Sequence, residues 1–214
     1  MSHLHKDNAD LTKERLLTEA ETLFAKKGFE GVSVREITSK AQCNLAAVNY
    51  HFGNKKNLYL EVFRCRWAPR AKRLQGHFRK SLPSKKPSVS AIIQSLANAF
   101  LAGPMSDEER HRHLQLMSRE LSQPTEAFEL VANEIMRPFF GELSNMLRSE
   151  LTQKVEKDQL ILHVLSIFSM VLYFNFAREA VSRITGRQYD DDFKARLVRQ
   201  ITEFSLKGLE GDLH

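Results

Sequence analysis

The apolar positions of this chain recur at helical spacing almost from end to end. Leu16, Leu17, Ala20, Leu23 and Phe24 form one stripe of an amphipathic helix, and Gly28 supplies its stop. Ser33-Val34-Arg35-Glu36 has the form of a capping box, and Val34, Ile37 and Ala41 give the short helix behind it an inner face. Asn44 is placed to cap a third helix from Leu45 to about His51, which Gly53 ends. Asn54 caps a fourth, starting at Lys55 and reaching roughly Lys80. Pro69 lies inside it, removes the backbone bond to Cys65 and should bend the helix. Leu82–Ser88, with two prolines, reads as linker. Further helices are expected at about 88–102, 107–121, 124–150, 156–184 and 191–208, with Gly103-Pro104, Gln123-Pro124, Gly186 and Asp190–Asp192 between them. No alternating strand pattern of useful length, internal repeat or low-complexity tract appears. The expected fold is all-α, with a flexible arm (1–10), a compact three-helix head (11–56) and a larger helical body (57–214).

Composition narrows the class. A chain of 214 residues, 42% hydrophobic and 27% charged, can bury a core without staples. Two cysteines, Cys43 and Cys65, make no disulfide framework and fit a reducing compartment. The first ten residues are polar and lack the apolar core of a signal peptide. Leu160–Phe176 is the longest apolar run, but His163, Ser166, Ser169 and Asn175 interrupt it at the lower limit of a membrane span. A buried helix in a cytoplasmic protein, with no membrane partner, is the expectation.

The net charge of +6 is unevenly spread. Between Thr38 and Ser106 the only acid is Glu61, against Lys40, Lys55, Lys56, Arg64, Arg66, Arg70, Lys72, Arg73, Arg79, Lys80, Lys85 and Lys86. Such a stretch fits a solvated basic face or a surface that meets polyphosphate. Charge alone leaves both open.

Asn44–Phe52, NLAAVNYHF, sharpens the choice. Two short helices joined by the tight turn Gln42-Cys43-Asn44 have the geometry of a helix-turn-helix, whose second helix enters the DNA major groove. On that reading Ala46 and Ala47 let the backbone approach the groove floor, and Asn49 offers the donor and acceptor that suit an adenine edge. Tyr50 and His51 reach flanking phosphates, while Val48 and Phe52 anchor the helix inward. Lys55 and Lys56 open the next helix, where cations and free N–H groups both favour phosphate. The same composition also fits a core helix.

The stretch Leu16–Tyr59 resembles the N-terminal DNA-binding domain of the tetracycline-repressor (TetR) family of bacterial regulators. Phe24 with Gly28, Val34-Arg35-Glu36-Ile37, Ala41, Tyr50-His51-Phe52, Lys55 and Leu58-Tyr59 carry the resemblance in one register. It implies a three-helix DNA-binding head and an all-α body that binds an effector and dimerises. It places Leu45, Ala46, Ala47 and Asn49 toward the groove. Ser33, Arg35, Tyr50, His51 and Lys55 fall where the family contacts phosphate or adjoining bases. Many members have glycine-valine-serine in place of Gln42-Cys43-Asn44 and tyrosine in place of Asn49; the AAVNYHF form marks a subset. Met117–Leu143 is similar to the body of a subgroup linked with export and drug-response control.

No enzyme constellation emerges. His111 and His113, at i and i+2, do not share a helix face, and no glycine-rich phosphate loop or GxSxG elbow occurs. Catalytic residues, metal ligands and cofactors are therefore expected to be none. In the body, Phe100, Leu116, Met117, Phe128, Met136, Phe140, Phe168 and Tyr173 lie on helices expected to surround the centre. As Met and aromatic residues they suit an adaptable pocket for a small, mostly apolar effector, with His113, Glu120 and His163 as polar handles. The same residues also fit plain core. The last two long helices are expected to form a homodimer seam, as in the family, with Leu160, Val164, Ile167 and Val171 as candidate seam residues. The resulting expectation is a ligand-released repressor that binds a near-palindromic operator as a dimer. The alternatives are an effector-independent regulator and a small all-α enzyme or carrier with an incidental basic face.

Overall fold

A computed structural model describes residues 2–83, 86–151 and 155–210, with side chains left out at 2–8 and 210. Every regular element among them is helical. In chain order these are α1 (Ser2–Lys27), α2 (Val34–Lys40), α3 (Ala46–Phe52), α4 (Lys55–Val62), α5 (Ala68–Ser81) and α6 (Val89–Leu101). They continue as α7 (Asp107–Ser122), α8 (Glu126–Val131), α9 (Arg137–Glu150), α10 (Lys157–Phe176), α11 (Arg178–Thr185) and α12 (Asp191–Glu210). The expected arm is taken into α1. Of the expected linker, residues 84 and 85 lie outside the described residues.

The long helix expected from Lys55 resolves into α4, a five-residue π turn at Phe63–Trp67, and α5. A second π turn, Ala132–Met136, divides the expected 124–150 helix into α8 and α9. Pro69 and Pro138 each stand just beyond a π turn. In the first turn Ala68 N–H bonds five residues back to Phe63 O, which widens the ladder where the proline can give no N–H. The bend expected at Pro69 thus takes the form of a wide turn. The expected capping box at Ser33 forms only by half. Ser33 Oγ accepts from Glu36 N–H at 3.1 Å, but the Glu36 carboxylate pairs with Lys27. Ser106 and Glu109 make the reciprocal box instead, at the start of α7.

The chain divides into two compact units, Met1–Ala71 with Met105–Ala132 and Lys72–Pro104 with Asn133–His214. Compactness therefore does not divide the chain after residue 56, because α7 and α8 pack against the first helices. In the first unit, Leu16, Leu17, Ala20, Phe24, Ile37, Val48, Leu58 and Phe63 are fully buried. Phe24, Tyr59 and Phe63 join edge to face, with centroids 4.9 and 5.2 Å apart. Trp67 stacks on His113 at 4.4 Å and donates its Nε1–H to His113 O at 3.1 Å. Arg70 forms a buried ion pair with Glu21, and Arg112 stands 3.7 Å from the same carboxylate. Truncating one member of such a pair costs about 3–5 kcal/mol, since it strands a charge away from water.

The second unit is built around α6, apolar on nearly all sides, with α9, α10 and α12 packed on it. Phe78, Ile92, Ile93, Leu96, Leu143, Leu147, Leu160, Val164 and Ile167 form its centre. Large-to-small changes here should cost about 2–5 kcal/mol each. Arg178 holds the end of α6 through Leu101 O at 3.2 Å and lies over the Tyr189 ring at 4.9 Å. The 156–184 expectation resolves into α10 and α11, broken at Ala177. By length and composition α10 could cross a membrane. One face of it is buried, but Leu162, Leu165, Tyr173 and Phe176 on the other are exposed, so the expected buried helix is buried on one side only.

Candidate nucleic-acid interface

The turn between α2 and α3 is closed by backbone bonds from Gln42 to Ser39 O at 3.3 Å and from Cys43 to Thr38 O at 3.0 Å. Gln42 is held at φ 49°, in the left-handed region. Asn44 Oδ1 then accepts from Ala46 N–H at 3.0 Å and starts the helix, which begins one residue later than expected. At the far end Gly53, at φ 81°, carries the chain out of α3 where an L side chain would be strained. Asn54 caps α4 by accepting from Asn57 N–H at 2.8 Å.

Between these fixed ends α3 has two distinct faces. Val48 and Phe52 point into the unit core. Leu45, Ala46, Asn49 and Tyr50 are exposed, Tyr50 at 80%, and Ala47 and His51 are half-buried. The outer surface of α3 is therefore two methyl groups, an amide and a phenol, with no charge of its own. That is the chemistry that can lie against base edges. Ser33 and Arg35 are exposed at the start of α2.

His51 lies beside Tyr50, ring centroids 4.9 Å apart. Burial and then Lys13 hold its pKa below the ordinary histidine value. Lys13 itself stands 6.0 Å from the centre of the Phe52 ring. That placement brings the middle of α1 to the recognition helix. Sequence reasoning missed it because the apolar stripe that defines α1 begins only at Leu16. Cys43 and Cys65 are free thiols, both pushed upward by burial.

Lys55 is held from within the unit. Its ammonium donates to Phe29 O at 3.0 Å and Val32 O at 3.1 Å and lies 4.2 Å from the Phe29 ring centre. Three neutral partners tie it into the loop ahead of α2, so its position is fixed while its charge is left unpaired by any acid among the described residues. Lys56 is more open, but it pairs with Glu126 at 2.6 Å. Three other cations of the basic stretch, Arg66, Arg70 and Arg79, pair with Glu14, Glu21 and Glu142.

The candidate effector residues are not brought together in one unit. His113, Leu116, Met117, Glu120 and Phe128 belong to the first, and Phe100, Met136, Phe140, His163, Phe168 and Tyr173 to the second. In the first, His113 is stacked on Trp67, Leu116 is fully buried, and Glu120 is bonded to Tyr59 and Thr125. In the second, Phe168 meets Phe100 and Phe140 edge to face at 5.1 and 5.0 Å. A void of about 10 Å³ lies among Ile92, Leu96, Leu143 and Ile167, at the lower limit for one water. Tyr173 is 55% exposed and lines an outer groove of about 320 Å³ with Met170, Phe174, Ile201 and Phe204. It therefore lines a surface groove and not the interior of the unit.

The candidate seam residues are a correction. Leu160, Val164, Ile167 and Val171 are buried in the single chain, at 0%, 1%, 4% and 0% exposure. They fill the unit's own core and are not available to a partner. The stripe left open is Leu162, Leu165, Tyr173 and Phe176, with Phe204 of α12 at 63% exposure.

Residues 16–62 match the family model described as "Bacterial regulatory proteins, tetR family". Residues 90–209 match the C-terminal domain of the HTH-type transcriptional dual regulator CecR. Over 199 residues the chain is 25% identical to that regulator from Shigella flexneri, covering 88% of this chain and 86% of that protein. Over 210 residues it is 23% identical to the HTH-type transcriptional repressor NicS of Pseudomonas putida, covering 94% and 93%. A TetR-like transcriptional regulator from Rhodococcus sp. RHA1 shares the fold, with a TM-score of 0.66 at 16% identity over 92% of this chain and 96% of that one.

Proposed function

The chain belongs to the tetR family of bacterial transcriptional regulators, and from that premise we propose that it is a repressor released by a small molecule. It acts in the cytoplasm as a homodimer on a near-palindromic operator. The observation that carries the DNA-binding part is α3. Both its ends are fixed, Val48 and Phe52 are locked inward, and Ala46, Asn49 and Tyr50 are left outward without charge. Leu45, Ala46, Ala47 and Asn49 are assigned to base edges, and Ser33, Arg35, Tyr50 and His51 to phosphate or adjoining bases. The relatives' names describe a repressor and a dual regulator. We take repression as this chain's role.

Dimerisation is assigned to the open stripe of α10 with Phe204 of α12, a large apolar surface of the kind that marks a protein interface. The effector is assigned to the aromatic cluster of Phe100, Phe140 and Phe168, with Met136 beside it, which suits a ring-bearing, mostly apolar compound. The edge-to-face closure of Phe168 on Phe100 and Phe140 favours a second reading, an effector-independent regulator.

The test is selection of bound fragments from the genome that encodes the protein, repeated with candidate compounds. Asn49→Ala is expected to weaken binding to the selected duplex by about 1–3 kcal/mol and relax base preference at one position. Unchanged affinity and preference would remove α3 from the groove. A broad panel containing no compound that releases DNA would leave the effector-independent reading.

A further inference from the structure

We propose that Arg119 and Glu120, neighbours at the C-terminal end of α7, are positioning residues for DNA binding, holding α1 and α4 at the angle at which α3 meets its operator. The inference rests on the DNA-binding reading above and adds what sets the pose of the recognition helix.

Arg119 grips α1. Its Nε–H donates to Ala25 O at 2.9 Å and its Nη2 to Lys26 O at 2.5 Å, in the last turn of that helix. A helix leaves its final carbonyls without internal partners, and a cation there matches the negative pole of the helix. Gly28 eases the approach. At φ 75° it turns the chain out of α1, and a Cβ on it would stand 3.2 Å from Arg119 Nη1. The end of α1 is thus closed by a side chain reaching across from α7.

Glu120 grips α4. Only 1% exposed, it accepts a hydrogen bond from Tyr59 Oη at 2.6 Å. The same carboxylate accepts from the N–H groups of Thr125 at 2.9 Å and Phe128 at 3.1 Å, and from the Thr125 hydroxyl, so it also organises the start of α8. Burial and then the Glu120 carboxylate push the Tyr59 phenol far above its ordinary pKa, which keeps the hydroxyl a donor. Tyr59 in turn stands edge-on to Phe24 of α1 and Phe63.

Consecutive residues on a helix point about 100° apart, so one turn of α7 can hold two different helices at once. α3 packs on both α1 and α4. A displacement of this joint therefore turns the recognition helix without any change in α3 itself. Specific binding needs the outward face of α3 in register with base edges. Binding to arbitrary DNA depends on phosphate and tolerates a change of pose.

The experiment uses the full chain and two duplexes, one recovered by selection from random DNA and one a scramble of equal length and composition. Affinities are compared at one salt concentration, well below each variant's melting temperature. Tyr59→Phe and Arg119→Gln are each expected to weaken the selected duplex about tenfold, while the scramble changes by no more than about twofold. Equal losses on both duplexes, or no loss on either, overturn the proposal. Should Arg119→Gln fail to fold, Tyr59→Phe, which removes one hydroxyl, decides alone. An unmodified chain with no preference between the duplexes refutes the DNA-binding reading, and this inference falls with it.

Discussion

Gln42 occupies a place where many tetR-family members carry glycine, and its backbone supplies the reason for that preference. At φ 49° it sits in the left-handed region, where an L side chain crowds its own carbonyl. Gln42→Gly is expected to raise the free energy of unfolding by about 0.5–1 kcal/mol, read by denaturant titration, with DNA affinity unchanged. His51 gives a pH dependence. Burial and Lys13 hold its pKa below the ordinary value in the free protein. A nearby phosphate would favour the imidazolium, so the complex should bind more protons than the free protein. Affinity is then expected to rise as pH falls through the range below the ordinary histidine pKa. His51→Gln should flatten that rise in fluorescence-anisotropy titrations. A rise that survives in the variant would assign the proton elsewhere. Lys55 shows the limit of a motif. Its position marks the family, but only the structure shows three partners around its ammonium.

α10 shows why an element can be read correctly and its orientation missed. Leu160, Val164, Ile167 and Val171 repeat at helical spacing, and so do Leu162, Leu165, Tyr173 and Phe176. Either stripe satisfies the pattern of an inner face, and only packing against α6 and α9 selects the first. The two sets now call for opposite experimental outcomes. Leu165→Glu on the open stripe is expected to give a folded monomer with impaired operator binding by sedimentation. Val171→Glu, which would bury a charge, is expected to lower stability by more than about 3 kcal/mol, read as a fall in melting temperature. A Leu165→Glu protein that remains dimeric would move the interface off α10. By contrast, the starts of α2 and α3 and the glycine stop of α3 were legible to within about a residue, because caps and glycine stops are local signals. α2 is nonetheless shorter than its apolar stripe implied, and its capping box forms only by half. The π turns were not legible, since a proline within a helical pattern signals a bend without saying what form the bend takes.

At the scale of the molecule, the helical class and the DNA-binding head were legible, and the grouping of the body's residues was not. Periodicity tells which residues face inward but not which unit they face into. His113, Met117 and Glu120 therefore read like Phe100, Phe140 and Phe168, although they belong to different units. Likewise, the acid-free run after Glu61 reads as a basic face, yet Arg66, Arg70 and Arg79 are answered by acids far along the chain.

The first unit is assembled from two separate stretches of sequence, and this bears on how such proteins can be recombined. A fragment cut after residue 71 would carry the whole helix-turn-helix but lose the partners of Trp67, Tyr59 and the Arg70–Glu21 pair that lie on α7. Grafting the head onto a relative's body would therefore require transplanting residues 105–132 along with it, as the second half of one folding module.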